Sequence, residues 1–208
     1  TDIDGNVYAT VQIGEQLWMA ENLKTTHYNN GDEILTGYSD EDWSILEDGA
    51  YAVYDDDPAN AAIYGNLYNW FAVDDERGLC MDGWHVPSDD EIMELEMFLG
   101  MSESDANLYN GFRGPNEGSK LAGNTDLWYS GSLENNSEFG MSGFSAFPAG
   151  YRSDINGNYN GMGYDVYFWS SSEASNFAWS WSLLHSLSIM YRSAYLKQLG
   201  FSIRCVGD

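Results

Sequence analysis

Hydrophobic and polar positions alternate with a period of two near both ends of this chain, and take a helical period only in its middle. After the turn chemistry of Asp4-Gly5-Asn6, Val7, Ala9, Val11 and Ile13 fall on one face of an extended segment. Gly14-Glu15-Gln16 then turns the chain into Leu17-Trp18-Met19-Ala20, which predicts an N-terminal hairpin. Ala50 to Tyr54 predicts a short strand, closed by Asp55-Asp56-Asp57-Pro58. Two helices are expected. Tyr64, Leu67, Tyr68 and Phe71 recur at i, i+3, i+4 and i+7. Ser88 opens the second as an N-cap with Glu91 three residues on, a capping box. Ile92, Leu95 and Leu99 line its face, Gly100 stops it, and Asp89, Asp90 and Glu91 suit its dipole.

In the last third, Trp179, Trp181 and Leu183 share one face, Leu187, Ile189 and Tyr191 another, and Phe201, Ile203 and Cys205 a third. Asn29 to Asp48 reads as an acidic surface loop, and Asn107 to Gly163 as a Gly/Asn/Ser-rich stretch with little periodicity. Loops this long in a compact domain are usually functional or ligand-held. The expected fold is α+β: one domain over residues 1–208, with two helices, small antiparallel sheets and long irregular loops.

Charge narrows the function. With 8 Lys+Arg against 33 Asp+Glu the net charge is −25, which leaves no basic patch for nucleic acid or anionic lipid. No apolar run approaches the roughly 18 residues of a membrane span. The chain starts at Thr1 with neither Met nor an apolar leader, and a leader removed or omitted ahead of it is expected. Cys80 and Cys205 are the two cysteines, far apart and outside any CxxC spacing, so they are poor metal ligands. A disulfide between them explains them better and implies an oxidising compartment; two unrelated buried thiols are the alternative.

Seven motifs in order carry a resemblance. They are Asp4-Gly5-Asn6-Val7-Tyr8, Trp18-Met19-Ala20-Glu21-Asn22-Leu23, Tyr64-Gly65-Asn66-Leu67-Tyr68-Asn69-Trp70, Gly83-Trp84-His85-Val86-Pro87, Gly143-Phe144-Ser145-Ala146-Phe147-Pro148-Ala149-Gly150-Tyr151-Arg152, Trp169-Ser170-Ser171-Ser172-Glu173 and Gly200-Phe201-Ser202-Ile203-Arg204-Cys205-Val206. Over nearly its whole length the chain resembles the Fibrobacter succinogenes major paralogous domain of secreted and lipid-anchored bacterial proteins. That family is similar to the C-type-lectin-like fold, in the branch of the formylglycine-generating sulfatase-modifying enzymes. The resemblance implies adjoining terminal strands, a long loop region before the last strands and the Cys80–Cys205 bridge. Met81 departs from it where relatives often have Pro, which should change only the local turn.

The formylglycine-generating enzymes use cysteines in the late loop region, and this chain has none there. No Gly-x-Ser-x-Gly elbow is present. His85 reads as a hydrogen-bonded packing residue, and His27 and His185 as exposed turn residues. No enzyme activity is expected. Calcium is the candidate ion, through oxygens of Asp154, Asn156, Asn158 and Asp165; no other cofactor is expected. Neither an EF-hand nor the Glu-Pro-Asn and Trp-Asn-Asp tripeptides of calcium-dependent lectins occurs. Tyr159, Tyr164 and Tyr167, with Asn158 and Asn160, are the candidate ligand-binding residues, because flat rings with polar tips stack on sugars or anchor proteins. Trp169 and Trp181 read as core, and Arg152 and Glu173 as a buried pair.

The resulting expectation is a secreted or cell-surface module that recognises glycan or protein through the Asp154–Tyr167 region. The alternative is a structural subunit that assembles with copies of itself, head to tail, into a fibre or surface layer.

Overall fold

The computed structural model describes residues 1–208. Its strands are β1 (Thr10–Ile13), β2 (Gln16–Met19), β3 (Tyr51–Ala52), β4 (Leu67–Tyr68), β5 (Trp84–His85), β6 (Gly111–Arg113), β7 (Ala149–Arg152), β8 (Tyr159–Met162), β9 (Asp165–Ala174), β10 (Phe177–Leu184), β11 (Met190–Leu196) and β12 (Val206–Gly207). Its helices are α1 (Asp40–Trp43), α2 (Pro58–Tyr64), α3 (Trp70–Val73), α4 (Asp89–Phe98), α5 (Glu103–Ala106) and α6 (Glu117–Leu121). A four-stranded sheet runs β1-β2-β12-β5, a six-stranded sheet runs β6-β11-β10-β9-β7-β8, and β3 pairs with β4. The chain therefore mixes helices with several small sheets.

The expected hairpin forms, with Ile13 opposite Gln16 across Gly14-Glu15. Its strand begins only at Thr10, however, and Val7 and Ala9 are exposed. Upstream, the Tyr8 hydroxyl donates to buried Asp2 (2.6 Å), so Tyr8 turns inward in place of its neighbours. The helix expected over Tyr64 to Phe71 does not form. Gly65, at φ +75°, ends α2, and Leu67-Tyr68 continue as a strand opposite Tyr51-Ala52. Tyr68 also exchanges both backbone hydrogen bonds with Phe201. Those long-range bonds override a spacing that a local helix would equally satisfy.

α4 behaves as its sequence predicts. The Ser88 side chain accepts from the Glu91 N–H, the Glu91 carboxylate accepts from the Ser88 N–H (2.8 Å), and Ile92 and Leu95 are buried. Ser88→Ala should lower stability by about 1 kcal/mol in urea unfolding, the usual cost of a lost cap.

The six-stranded sheet carries core on both faces. Val166, Phe168, Trp181, Leu183 and Met190 pack with Trp18, Phe144, Ile92 and Leu95 on one side. Trp169 and Ala178 pack with Tyr68, Trp70, Phe201 and Ile203 on the other. β11 starts at Met190, so Leu187 and Ile189 lie in the turn before it. The closing segment is not a strand with one buried face. Phe201, Ser202, Ile203, Arg204 and Cys205 are all buried, and only Val206–Gly207 pair as β12. Cys205 bridges Cys80, with Cα atoms 6.1 Å apart.

Four buried arginines hold the irregular loops. Buried carbonyls need donors, and Gly/Asn-rich segments cannot supply them from regular ladders. Arg204 donates to the carbonyls of Met19, Phe144 and Ser145 and to the Asn22 side chain. Arg152 donates to the carbonyls of Gly157 and Tyr38, Arg113 to that of Ala106, and Arg192 to that of Leu108. The expected Arg152–Glu173 pair is absent: Arg152 meets Asp40 and Glu173 meets Lys197. Asp89 does more than suit the α4 dipole, since it accepts from the buried Arg192 guanidinium. The acidic Asn29–Asp48 stretch is mostly exposed, but α1 lies within it and buries Trp43 under Arg152.

Candidate functional site: an aromatic groove

A groove of about 490 Å³ opens on the second face of the six-stranded sheet. Tyr151 of β7, Tyr167 of β9 and Tyr195 of β11 line it above Phe201, and Ser153, Asp154 and Ile155 form one wall. Strand alternation aims these rings together. Asp165, Tyr167 and Trp169 share one face of β9, as Tyr191 and Tyr195 share the same face of β11. Arg152, next to Tyr151, is locked by its bonds to Gly157 and Tyr38, which fixes the turn that carries Asp154 and Ile155. That turn approaches α1 so closely that a Cβ at Gly157, whose φ is +67°, would overlap the Asp40 backbone.

The rings are ordered against one another. Tyr167 stacks on Phe201 with centroids 4.9 Å apart and planes at 16°. Tyr151 stands at 74° to Tyr167, at 5.2 Å, and Tyr195 at 90°, at 6.0 Å. Burial, followed by the nearby Asp165 charge, raises the Tyr167 pKa, and burial pushes the Tyr195 hydroxyl up to about 12. All three phenols therefore stay neutral donors at physiological pH. Burial also raises the Asp165 carboxyl, against the lowering effect of nearby His185.

The surroundings contain no free cation. Seven of the eight Lys and Arg side chains are in ion pairs, and the eighth, Arg204, is wholly buried. The groove thus offers aromatic faces, phenol hydroxyls and the Asp154 carboxylate, and no Lys or Arg side chain.

The residues singled out from sequence separate into three places. Tyr167 and Asp154 line the groove. Tyr159 packs on Tyr54, donates to Asp56 (2.6 Å) and lies under Arg152. With Asn158 and Asn160 it borders a different, acidic depression formed by Asp40, Asp55 and Asp56. Tyr164 is exposed and stacks on Tyr129 at 4.2 Å, with the His185 ring against its edge. Among the calcium candidates, Asn156 accepts from the Asn158 N–H (3.2 Å), Asp154 lies at the groove and Asp165 beside Gly161. No group of three or more His, Cys, Asp and Glu side chains is arranged to hold a metal ion.

Two of the three histidines are tethered to carboxylates, while the half-buried His185 has no hydrogen-bond partner at its Nδ1. His85 bonds to both Asp208 and Glu91 (2.7 Å each) and His27 faces Asp4. Partial burial works against the His85 imidazolium, but those two carboxylates outweigh it and raise its pKa.

Sequence reasoning missed Tyr151, Tyr195 and Phe201 as groove residues. The alternation of Tyr191 and Tyr195 could have flagged one face, but nothing local places β7 and β11 on either side of β9 and β10. No helix is long and apolar enough to cross a membrane. Compared with known proteins, residues 11–207 match the model of the Fibrobacter succinogenes major domain. No curated protein and no solved structure matches.

Proposed function

Since the chain belongs to the Fibrobacter succinogenes major domain family, we propose that it is a non-catalytic recognition and adhesion module on the bacterial exterior. It binds glycan or protein through the Tyr151–Tyr167–Tyr195 groove. The observation that carries this reading is the groove itself: three neutral phenols and an aromatic floor, held open on a rigid sheet. The Cys80–Cys205 bridge supports an oxidising, extracellular location. It also occupies both thiols, so the cysteine chemistry of formylglycine-generating enzymes has no nucleophile in this chain. Terminal strands that adjoin, with β12 beside β2, support a C-type-lectin-like fold. Calcium, bound through Asp154 and its neighbours, belongs to this reading as a candidate helper.

The protein and its Tyr195→Ala variant, probed on glycan and extracellular-protein arrays with and without calcium, test the proposal. Binding by the native chain that falls at least about tenfold in the variant is the expected result, equivalent to about 1.4 kcal/mol. No binding on either array, or binding that Tyr195→Ala leaves unchanged, would sink it.

Self-assembly is the second reading. The exposed Met97, Phe98 and Met141 side chains lie close together around Gly14 and favour it. Repulsion at a net charge of −25 ranks it behind recognition. A monomer by light scattering at high concentration, in calcium and salt, would remove it.

A further inference from the structure

We infer that the groove takes the ammonium head of a lysine side chain from a partner protein. The inference rests on the groove being the recognition site, and adds what it recognises.

Cations bind over aromatic faces because the ring quadrupole is negative there, and rings set at right angles surround a cation from several sides. Tyr151 and Tyr195 each stand nearly perpendicular to the Tyr167 ring, and Phe201 backs it. Counter-charge is close at hand. Asp154 lines the groove, and Asp165 lies outside its lining, two residues before Tyr167 on the same face of β9. Asp165 is half-buried, with no Lys or Arg partner and with His185 nearby. The three phenol oxygens are also free of protein hydrogen bonds, so they can accept from an ammonium.

Charge complementarity favours a cationic over an anionic occupant. Anionic groups meet the Asp154 carboxylate and no Lys or Arg. A second copy of this chain is a poor source, because Lys24, Lys120 and Lys197 are each already paired. A free small ammonium would fill the ring cluster but leave the rim uncovered. That rim is Ile155, Phe177 and Leu196, all exposed and apolar, which fits the surface around a lysine on a protein.

Chemical-shift mapping on the full chain tests the inference. The probes are an acetyl-Gly-Lys-Gly amide peptide, its Nε-acetyl-lysine counterpart, tetramethylammonium and a neutral oligosaccharide. The lysine peptide should move the amides of Ser153 to Ile155, Tyr167 and Tyr195. Acetylation should weaken binding at least about tenfold, and tetramethylammonium should bind at the same residues but more weakly than the peptide. Asp154→Asn, at the carboxylate that lines the groove, should weaken the lysine peptide about fivefold; the comparison of the two peptides on the native chain does not depend on that variant folding. Equal binding of the two peptides, or shifts outside the groove, would overturn the inference, as would tetramethylammonium binding as tightly as the peptide. If the oligosaccharide moves these amides and the lysine peptide does not, the cation inference falls and the recognition reading stands. If no probe moves them and both arrays are blank, both fall.

Discussion

Replacing Cys80 and Cys205 together by serine is expected to lower the unfolding free energy by about 5 kcal/mol, the chain-entropy value for a loop of this size. The two cysteines are 125 positions apart, so the bridge removes much freedom from the unfolded chain. The strand pairing that adjoins it is slight by itself. β5 and β12 each span two residues, and Val206 alone links Trp18 to His85 across the four-stranded sheet. Cys205 is wholly buried beside Met19, Leu23 and Ile203, so the loss should be felt through that cluster. Urea unfolding of the native and double-serine chains measures it. A loss under about 2 kcal/mol would mean that packing holds the C-terminal segment without the bridge, since removing a native disulfide typically costs 2–5 kcal/mol.

Arg113→Met should cost about 3–5 kcal/mol at pH 8, the range for stripping one partner from a buried ion pair. Arg113 and Glu96 are fully buried and meet at 2.7 Å, linking β6 to α4. Burial pushes the Glu96 carboxyl up to about 7, even with Arg113 drawing it down. Unfolded, the same group titrates near its ordinary value of about 4.3. The folded state therefore holds the proton more tightly. The Glu96 contribution to stability is fully present below about pH 4.3 and is lost as pH rises through about 7. With Arg113 gone, the charged carboxylate loses its direct partner and keeps only the more distant Arg192, so the penalty should be larger at pH 8 than at pH 5. Glu96→Gln should flatten the native stability profile between those values. Equal Arg113→Met penalties at both pH values would show that Glu96 is not the group responsible.

The legible parts of this protein are those whose physics is short-ranged or compositional. The capping box of α4 is one, because Ser88 and Glu91 satisfy each other's backbone within four residues. The burial of Trp169 and Trp181 is another, and so is the hairpin turn at Gly14-Glu15. The Cys80–Cys205 bridge was readable because the chain offers no other partner for either thiol. Tyr64 to Phe71 misled for the opposite reason. A spacing of three and four fits a helix, and only the bonds from Tyr68 to Phe201 and from Leu67 to Ala52 choose the strand.

Sequence by itself determined the family, the main helix and an acidic composition with few cations, since each follows from composition, ordered motifs or residues that act on near neighbours. Tertiary structure decided the binding face. Tyr151, Tyr167, Tyr195 and Phe201 come from four segments, and they meet because the sheet order β7-β9-β10-β11 and the buried return of the C-terminal segment put them there. It also separated Tyr159 and Tyr164 from Tyr167, because strand alternation and the turns around Gly157 and Gly163 send neighbouring rings to different sides. Adjacency across strands is a property of long-range backbone pairing, and no local spacing of residues encodes it.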